Sequence, residues 1–152
     1  KIKSSGCQWL WQTGKHYFNE MNTVVTQSAP ENISIHSFIN RMDFAFAAAD
    51  IIISRAGAGT ISELCLVGKP VILVPSPNVA EDHQTRNAQA LSQRNAAVLL
   101  SDKDAKLTLT DAAVKLVSDT KKRQELGSNI LKMAERDADE KIAREVLKLA
   151  SR

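Results

Sequence analysis

Seven consecutive residues, Ser54-Arg55-Ala56-Gly57-Ala58-Gly59-Thr60, stand between the apolar run Ile51-Ile52-Ile53 and a helix-like stretch from Ile61 to Val67. Small residues and glycines at a strand-to-helix junction suit the holding of a phosphate. A glycine has no Cβ to keep a ligand away, and the first N–H groups of a helix lack intrahelical acceptors and so favour an anion. The spacing fits neither G-x-G-x-x-G nor G-x-x-x-x-G-K-[ST], so neither the dinucleotide fingerprint nor the P-loop accounts for it. Thr60-Ile61-Ser62-Glu63 also fits a capping box, in which Thr60 accepts from the Glu63 N–H and Glu63 accepts from the Thr60 N–H without any ligand. Local sequence leaves both readings open.

Other reactive side chains are sparse. His83 follows Asp82, a pairing that suits a general base or a metal ligand, yet no second or third ligand is spaced to join it. His16 and His36 are isolated. No metal site and no catalytic residue is therefore expected here.

The elements that must hold the glycine turn alternate along the chain. Gln8 to Gln12 reads as a strand, Gly14 as a turn, and Lys15 to Val25 as a helix with Tyr17, Phe18, Met21 and Val24 near one face. Ile33 to His36 alternates strictly as a strand, and Asn40 stands where it could cap a helix from Arg41 to Ala49. The Ile51 to Ile53 strand, a helix from Thr60 to Val67 stopped by Gly68 and Pro70, and the strand Val71-Ile72-Leu73-Val74 follow. That last run is continuously apolar, which predicts burial on both faces in the middle of a parallel sheet. Pro75 to Asn78 breaks the chain, Glu81 to Gln93 is helical, Ala96 to Leu100 is a strand, and everything from Leu107 onward reads as helix. The rhythm predicts an α/β domain, a Rossmann-like parallel sheet with flanking helices, in which ligands sit at the carboxyl ends of the strands. Gln12-Thr13-Gly14, Ser37-Phe38, Ser54 to Thr60 and Pro75 through Gln84 follow strand ends and would line one edge.

Composition narrows the function classes. The 152 residues are 43% hydrophobic and 24% charged, as in one soluble domain, residues 1–152, with a real core. A formal net charge of +3 with dispersed Lys and Arg argues against nucleic acid as a partner, and Lys121-Lys122-Arg123 reads as a solvated helix face. Cys7 and Cys65 allow at most one bridge and have no metal-ligand spacing; Cys65, in an apolar helix, is expected as a buried free thiol in a reducing compartment. No run reaches the ~18 apolar residues of a membrane span, and no signal-peptide core follows Lys1, so the chain is read as soluble.

Taken together, Ile53 to Glu63, Gly68-Lys69-Pro70-Val71-Ile72-Leu73-Val74-Pro75 and Asp82-His83-Gln84-Thr85-Arg86-Asn87-Ala88 resemble the donor-binding half of the MurG-type glycosyltransferases. Trp11 to Lys15 and Phe38-Ile39-Asn40-Arg41-Met42 match upstream, so the resemblance covers nearly the whole chain. It implies one half of a GT-B architecture, two Rossmann-like domains facing across a cleft. It also implies transfer of N-acetylglucosamine from UDP-N-acetylglucosamine to lipid I, giving lipid II in peptidoglycan synthesis. The full-length protein would be a peripheral enzyme on the cytoplasmic side of the bacterial inner membrane, with no cofactor.

Position by position, the resemblance assigns Phe38 to lie against the uracil, Ile39 to pair with its edge through main-chain groups, and Met42 to pack nearby. Phe38 and Met42 would otherwise read as core residues. Glu63 would accept from both ribose hydroxyls, since one carboxylate offers two oxygens to a vicinal diol. Gly57, Ala58, Gly59 and Thr60 form the segment facing diphosphate and sugar, with main-chain N–H groups in place of a metal. Gln84 and His83 would contact sugar hydroxyls, and Arg55 would help hold the donor.

The family's amino-terminal domain, with its acceptor loop and candidate catalytic histidine, has no counterpart here, nor has the glycine-rich strand that opens its donor domain. The sheet is thus expected to lack an edge or central strand, and this chain alone is expected not to turn over. The acceptor would be reached only through the missing domain. Two other functions fit the same residues: a non-catalytic UDP-sugar-binding subunit of a two-chain transferase, and another GT-B enzyme such as a UDP-sugar epimerase or glycolipid synthase.

Overall fold

The apolar strand Val71–Leu73, β4, is fully buried along its length and organises the domain. In this computed structural model, which describes residues 2–28, 30–77 and 82–151, β4 pairs in parallel with β3 (Ile52–Ser54) on one side and β5 (Val98–Leu99) on the other. Burial on both faces follows from helices on either side. One apolar cluster joins Ile52, Leu64, Val71, Leu73, Leu91 and Ile130; the other joins Ile72, Val74, Ala113, Leu116 and Leu126. The side chains of β4 alternate between them, as a period of two requires.

The remaining strands form a separate sheet. β1 (Trp9–Gln12) pairs in parallel with β2 (Ile33–His36), with Trp9 opposite Ile33 and Gln12 opposite His36. Between them runs α1 (Lys15–Ser28), and α2 (Met42–Ala48) follows β2. The expected parallel α/β sheet is present, divided into two-stranded and three-stranded parts. Among the described residues before Ile52 none is buried. Trp9, Ile51 and Phe46 pack only partly buried against the two clusters.

Sequence set several boundaries differently. Asn40 does not cap α2: Arg41 takes the capping position, and no side-chain hydrogen bond is made there. α1 runs three residues beyond Val25, to Ser28. α4 spans His83–Ser92, and the expected start at Glu81 lies outside the described residues, as do Asn78, Val79 and Ala80. The helical tail starts earlier than Leu107 and is broken twice, giving α5 (Asp102–Ser118), α6 (Thr120–Leu131) and α7 (Ala138–Ala150). Ser101 caps α5 by accepting from the Asp104 N–H, and Asp119 caps α6 by accepting from the Lys122 N–H. Both are the short polar residues that satisfy first-turn donors. α7 buries nothing, and Ile142, Val146 and Leu149 stand exposed along one stripe of it.

α3 (Ala58–Val67) ends as the sequence indicates, at Gly68 in the left-handed conformation with φ 66°. Glycine is needed there twice over. A Cβ on Gly68 would sit 3.1 Å from Leu131 Cδ1, and one on Gly127 would sit 2.8 Å from the Gly68 carbonyl oxygen. The end of α3 and the middle of α6 therefore approach to backbone contact, which fixes how α3 lies on the sheet.

Candidate donor-binding site

α3 starts three residues earlier than the capping-box reading requires, and the box is not formed. Gly57 is the N-cap, no side chain caps the helix, and the first bond into it is from Ile61 N–H to Gly57 O at 2.9 Å. Thr60 is already inside the helix. The N–H groups of Ala58, Gly59 and Thr60 are consequently left without acceptors in the helix, as any uncapped first turn must leave them. Neither Gly57 nor Gly59 has a positive φ, so the turn does not use their freedom to bend. What they provide is space: a Cβ on Gly59 would meet nothing within 4 Å, and one on Gly57 only Thr60 Oγ1 at 3.7 Å.

The turn is held from behind by α4. Gln84 Oε1 accepts from the main-chain N–H of Ala56 at 3.2 Å and of Ser76 at 2.9 Å, while Asn87 Nδ2 donates to the Ala56 carbonyl at 3.0 Å. One carboxamide thus joins the loop after β3 to the loop after β4. Arg55 joins a third element: Nη1 donates to the carbonyls of Val74 and Pro75, each at 3.2 Å, and pairs with Asp102 in the first turn of α5. Gln84 and Arg55, expected from sequence to contact the donor, are bonded here to protein groups. Asn87 and Asp102 were not singled out, because a long-range hydrogen bond leaves no local pattern. Glu63 is exposed on α3, and His83 is exposed at the start of α4.

The other part of the predicted site follows β2. Phe38 is 62% exposed, which rules out the core reading of that side chain. Ile39 and Met42 are half-buried. The Ile39 N–H donates to Gln12 Oε1 at 2.8 Å, so the ends of β1 and β2 are tied together beside the exposed ring. Arg41 is engaged locally: its guanidinium bonds Asp43 at 2.7 and 3.0 Å and lies 3.8 Å over the Phe44 ring. The Arg41 hydrogen bond holds the Asp43 carboxyl below the ordinary carboxylate range. The cation of this loop is thereby neutralised, leaving Phe38 as its main exposed feature.

Phe38, Gly57 to Thr60 and Gln84 all follow carboxyl ends of parallel strands, the margin where open α/β sheets take ligands. Two hollows of about 510 and 500 Å³ lie elsewhere, one lined by Asp50, Lys69 and Arg123 and one by Cys7, Gln8 and Asn32. Among the described residues no group of three or more His, Cys, Asp or Glu is placed to hold a metal.

The family model of the glycosyltransferase family 28 C-terminal domain matches residues 1–142. The chain belongs to that family. Among curated relatives, it is similar to the UDP-N-acetylglucosamine--N-acetylmuramyl-(pentapeptide) pyrophosphoryl-undecaprenol N-acetylglucosamine transferase of Phocaeicola vulgatus, 53% identical over all of this chain and 41% of the relative. The transferase of the same name from Parabacteroides distasonis is 47% identical over 98% of this chain and 40% of its own length. The chain thus spans about two fifths of the curated relatives it matches. Among solved structures, MurG of Acinetobacter baumannii superposes with a TM-score of 0.79 at 27% identity, over 91% of this chain and 40% of that one. This bears out the GT-B half and the MurG-type resemblance read from the motifs. The glycotransferase of kitacinnamycin, at 22% identity and a TM-score of 0.61 over 82% of this chain and 30% of that one, shares the fold.

Proposed function

We propose that this chain is the donor-binding half of a transferase that moves N-acetylglucosamine from UDP-N-acetylglucosamine to lipid I. The uncapped start of α3 beside open space at Gly59 carries the reading, together with 53% identity to a transferase of that name. In this reading the N–H groups of Ala58, Gly59 and Thr60 face the diphosphate, Glu63 grips the ribose diol, and the Phe38 ring lies on the uracil. The carboxamide of Gln84, with His83 next to it in sequence, reaches the sugar, and Arg55 braces the segment from below.

The chemistry that follows is an inverting displacement. An acceptor hydroxyl, deprotonated by a base on a facing domain, attacks the anomeric carbon while UDP leaves. The departing diphosphate gains negative charge as the bond breaks, so donors already aimed at it stabilise the transition state more than the ground state. The acceptor is lipid-linked, which places the whole protein at the cytoplasmic face of the membrane as a peripheral enzyme. Within this chain no described helix is long and apolar enough to cross a membrane.

Calorimetric titration of the folded chain with UDP and UDP-N-acetylglucosamine tests the reading. Binding in the micromolar to millimolar range, with preference for uridine over other nucleotides, is the expected result. No heat at millimolar ligand, with the fold verified by circular dichroism, would overturn it. Competition by UDP-glucose as effective as by UDP-N-acetylglucosamine would move the chain towards another GT-B enzyme.

A further inference from the structure

Ala56, the residue before the N-cap of α3, is fully buried and lies outside both the β3 strand and the helix, so its main-chain groups need partners from elsewhere. α4 supplies both. Gln84 Oε1 accepts the Ala56 N–H at 3.2 Å, and Asn87 Nδ2 donates to the Ala56 carbonyl at 3.0 Å. The two side chains stand three residues apart, on one face of a helix that Ala88 and Leu91 anchor in the core. Gln84 also accepts from Ser76, whereas the side-chain bond of Asn87 goes to the glycine turn alone.

A planar trans peptide sets its N–H opposite its C=O, so each carbonyl direction in this stretch fixes the direction of the next N–H. The Gly57 carbonyl accepts from Ile61 and points into α3, which turns the Ala58 N–H out of the helix start. The peptide before it, joining Ala56 to Gly57, is held by Asn87. Gly57 has φ −67° and ψ 147°, an extended conformation that a glycine is not obliged to keep. A flip of the Ala56 to Gly57 peptide would carry that φ to positive values, open to glycine and costly to any residue with a Cβ. The hydrogen bond from Asn87 closes that route. We infer that Asn87 is a positioning residue for the donor diphosphate: it locks the peptide ahead of Gly57, and with it the outward aim of the first N–H groups of α3. Donors held in place beforehand need no reordering when the charge arrives. This rests on the donor-site reading given above and adds to it a side chain to which that reading gives no contact with the ligand.

The discriminating substitution is Asn87→Leu, which removes the donor at similar size and adds no charge. Uridine carries the base and ribose of UDP without its phosphates, so the ratio of the uridine and UDP dissociation constants isolates the diphosphate segment. Titration of the folded chain should show UDP affinity falling about tenfold in Asn87→Leu while uridine affinity changes less than about twofold. A merely structural loss would weaken both alike. The flip itself is tested in a Gly57→Ala background. A Cβ there meets only Thr60 Oγ1 at 3.7 Å, and the observed φ suits alanine whereas the flipped one does not. Within Gly57→Ala, Asn87→Leu should change the ratio several-fold less than it does beside the native glycine. If Asn87→Leu does not fold, Asn87→Asp, of the same shape and without a donor, takes its place at about 1 M salt, where charges are screened beyond about 3 Å. An unchanged uridine to UDP ratio in the folded variant would overturn the role of Asn87, and equal effects in the two backgrounds would overturn the flip as its cause. Failure of the wild-type chain to bind UDP at all would overturn the donor-site reading itself.

Discussion

Arg55 and Asp102 form an ion pair that spans 47 residues of sequence, joining the end of β3 to the first turn of α5. Because the same Nη1 also donates to the carbonyls of Val74 and Pro75, Arg55 has more than one anchor, and its two partners contribute unequally. Asp102→Asn removes a half-exposed pair and should cost less than about 1 kcal/mol of stability. Arg55→Ala also strips the donor from two carbonyls and should cost about 1 to 2 kcal/mol. Urea denaturation of both variants checks the order, and equal losses would show that the carbonyl contacts contribute nothing.

Gln84 is expected to separate stability from affinity. Gln84→Leu leaves the Ala56 and Ser76 N–H groups without their acceptor and should destabilise the chain by about 1 to 3 kcal/mol. Gln84→Glu keeps the acceptor and should retain most of the stability, yet it places a negative charge near the proposed diphosphate segment. Its affinity for UDP-N-acetylglucosamine should fall at low salt and partly recover at high salt. Denaturation and titration measured on the same samples resolve the two effects.

The exposed residues of the proposed site should do the reverse. Glu63 caps nothing, so Glu63→Ala should leave stability within about 0.5 kcal/mol while weakening UDP by about 1 to 3 kcal/mol. A ribose lacking its 2′-hydroxyl should lose affinity for wild type and much less for that variant. Phe38→Ala should likewise spare the fold and weaken UDP by about 1 to 3 kcal/mol, the range for a base stacked on an aromatic ring. Loss of stability without loss of affinity in either variant would count against the assignment.

Cys65 makes stability depend on alkaline pH. Burial pushes its thiol above the ordinary value of 9.0, because the thiolate is disfavoured away from water. Between the unfolded and folded values the folded chain holds more protons than the unfolded one, so this contribution is complete below pH 9.0 and is lost as pH rises through the folded value. Cys65→Ala should remove that part of the slope of stability against pH. An aromatic disulfide reagent should label the half-buried Cys7 in the native chain and reach Cys65 only on unfolding.

Where the sequence could be read, a local pattern carried the signal. The continuous apolar run of β4, the strict alternation of β2 and the Gly68 stop each have a cause within a few residues, and each lies where it was expected. The start of α3 did not, since Thr60 and Glu63 satisfy the capping pattern in composition while the backbone enters the helix at Gly57. Asn40 failed as a cap for a similar reason: α2 begins with Arg41 at the N-cap, whose guanidinium is taken up by Asp43 and Phe44. The division of the strands into two sheets was not foreseen, because pairing partners are set by contacts distant in sequence. The supports behind the glycine turn, Asn87 and Asp102, were invisible for that same reason. Phe38 was legible as a candidate, but only its exposure removed the core alternative.

The shallow packing of the described residues before Ile52 has a thermodynamic corollary. Amide protons in β1, α1 and β2 should exchange with solvent well before those of β4, as a region that opens by itself at low free-energy cost. A uridine nucleotide touching Phe38 at one end and Gly59 at the other would bolt that loosely fastened third to the rigid centre. Part of the intrinsic binding energy would then be consumed in quieting motion, and the ligand's grip would rise whenever something else had already steadied the front of the chain.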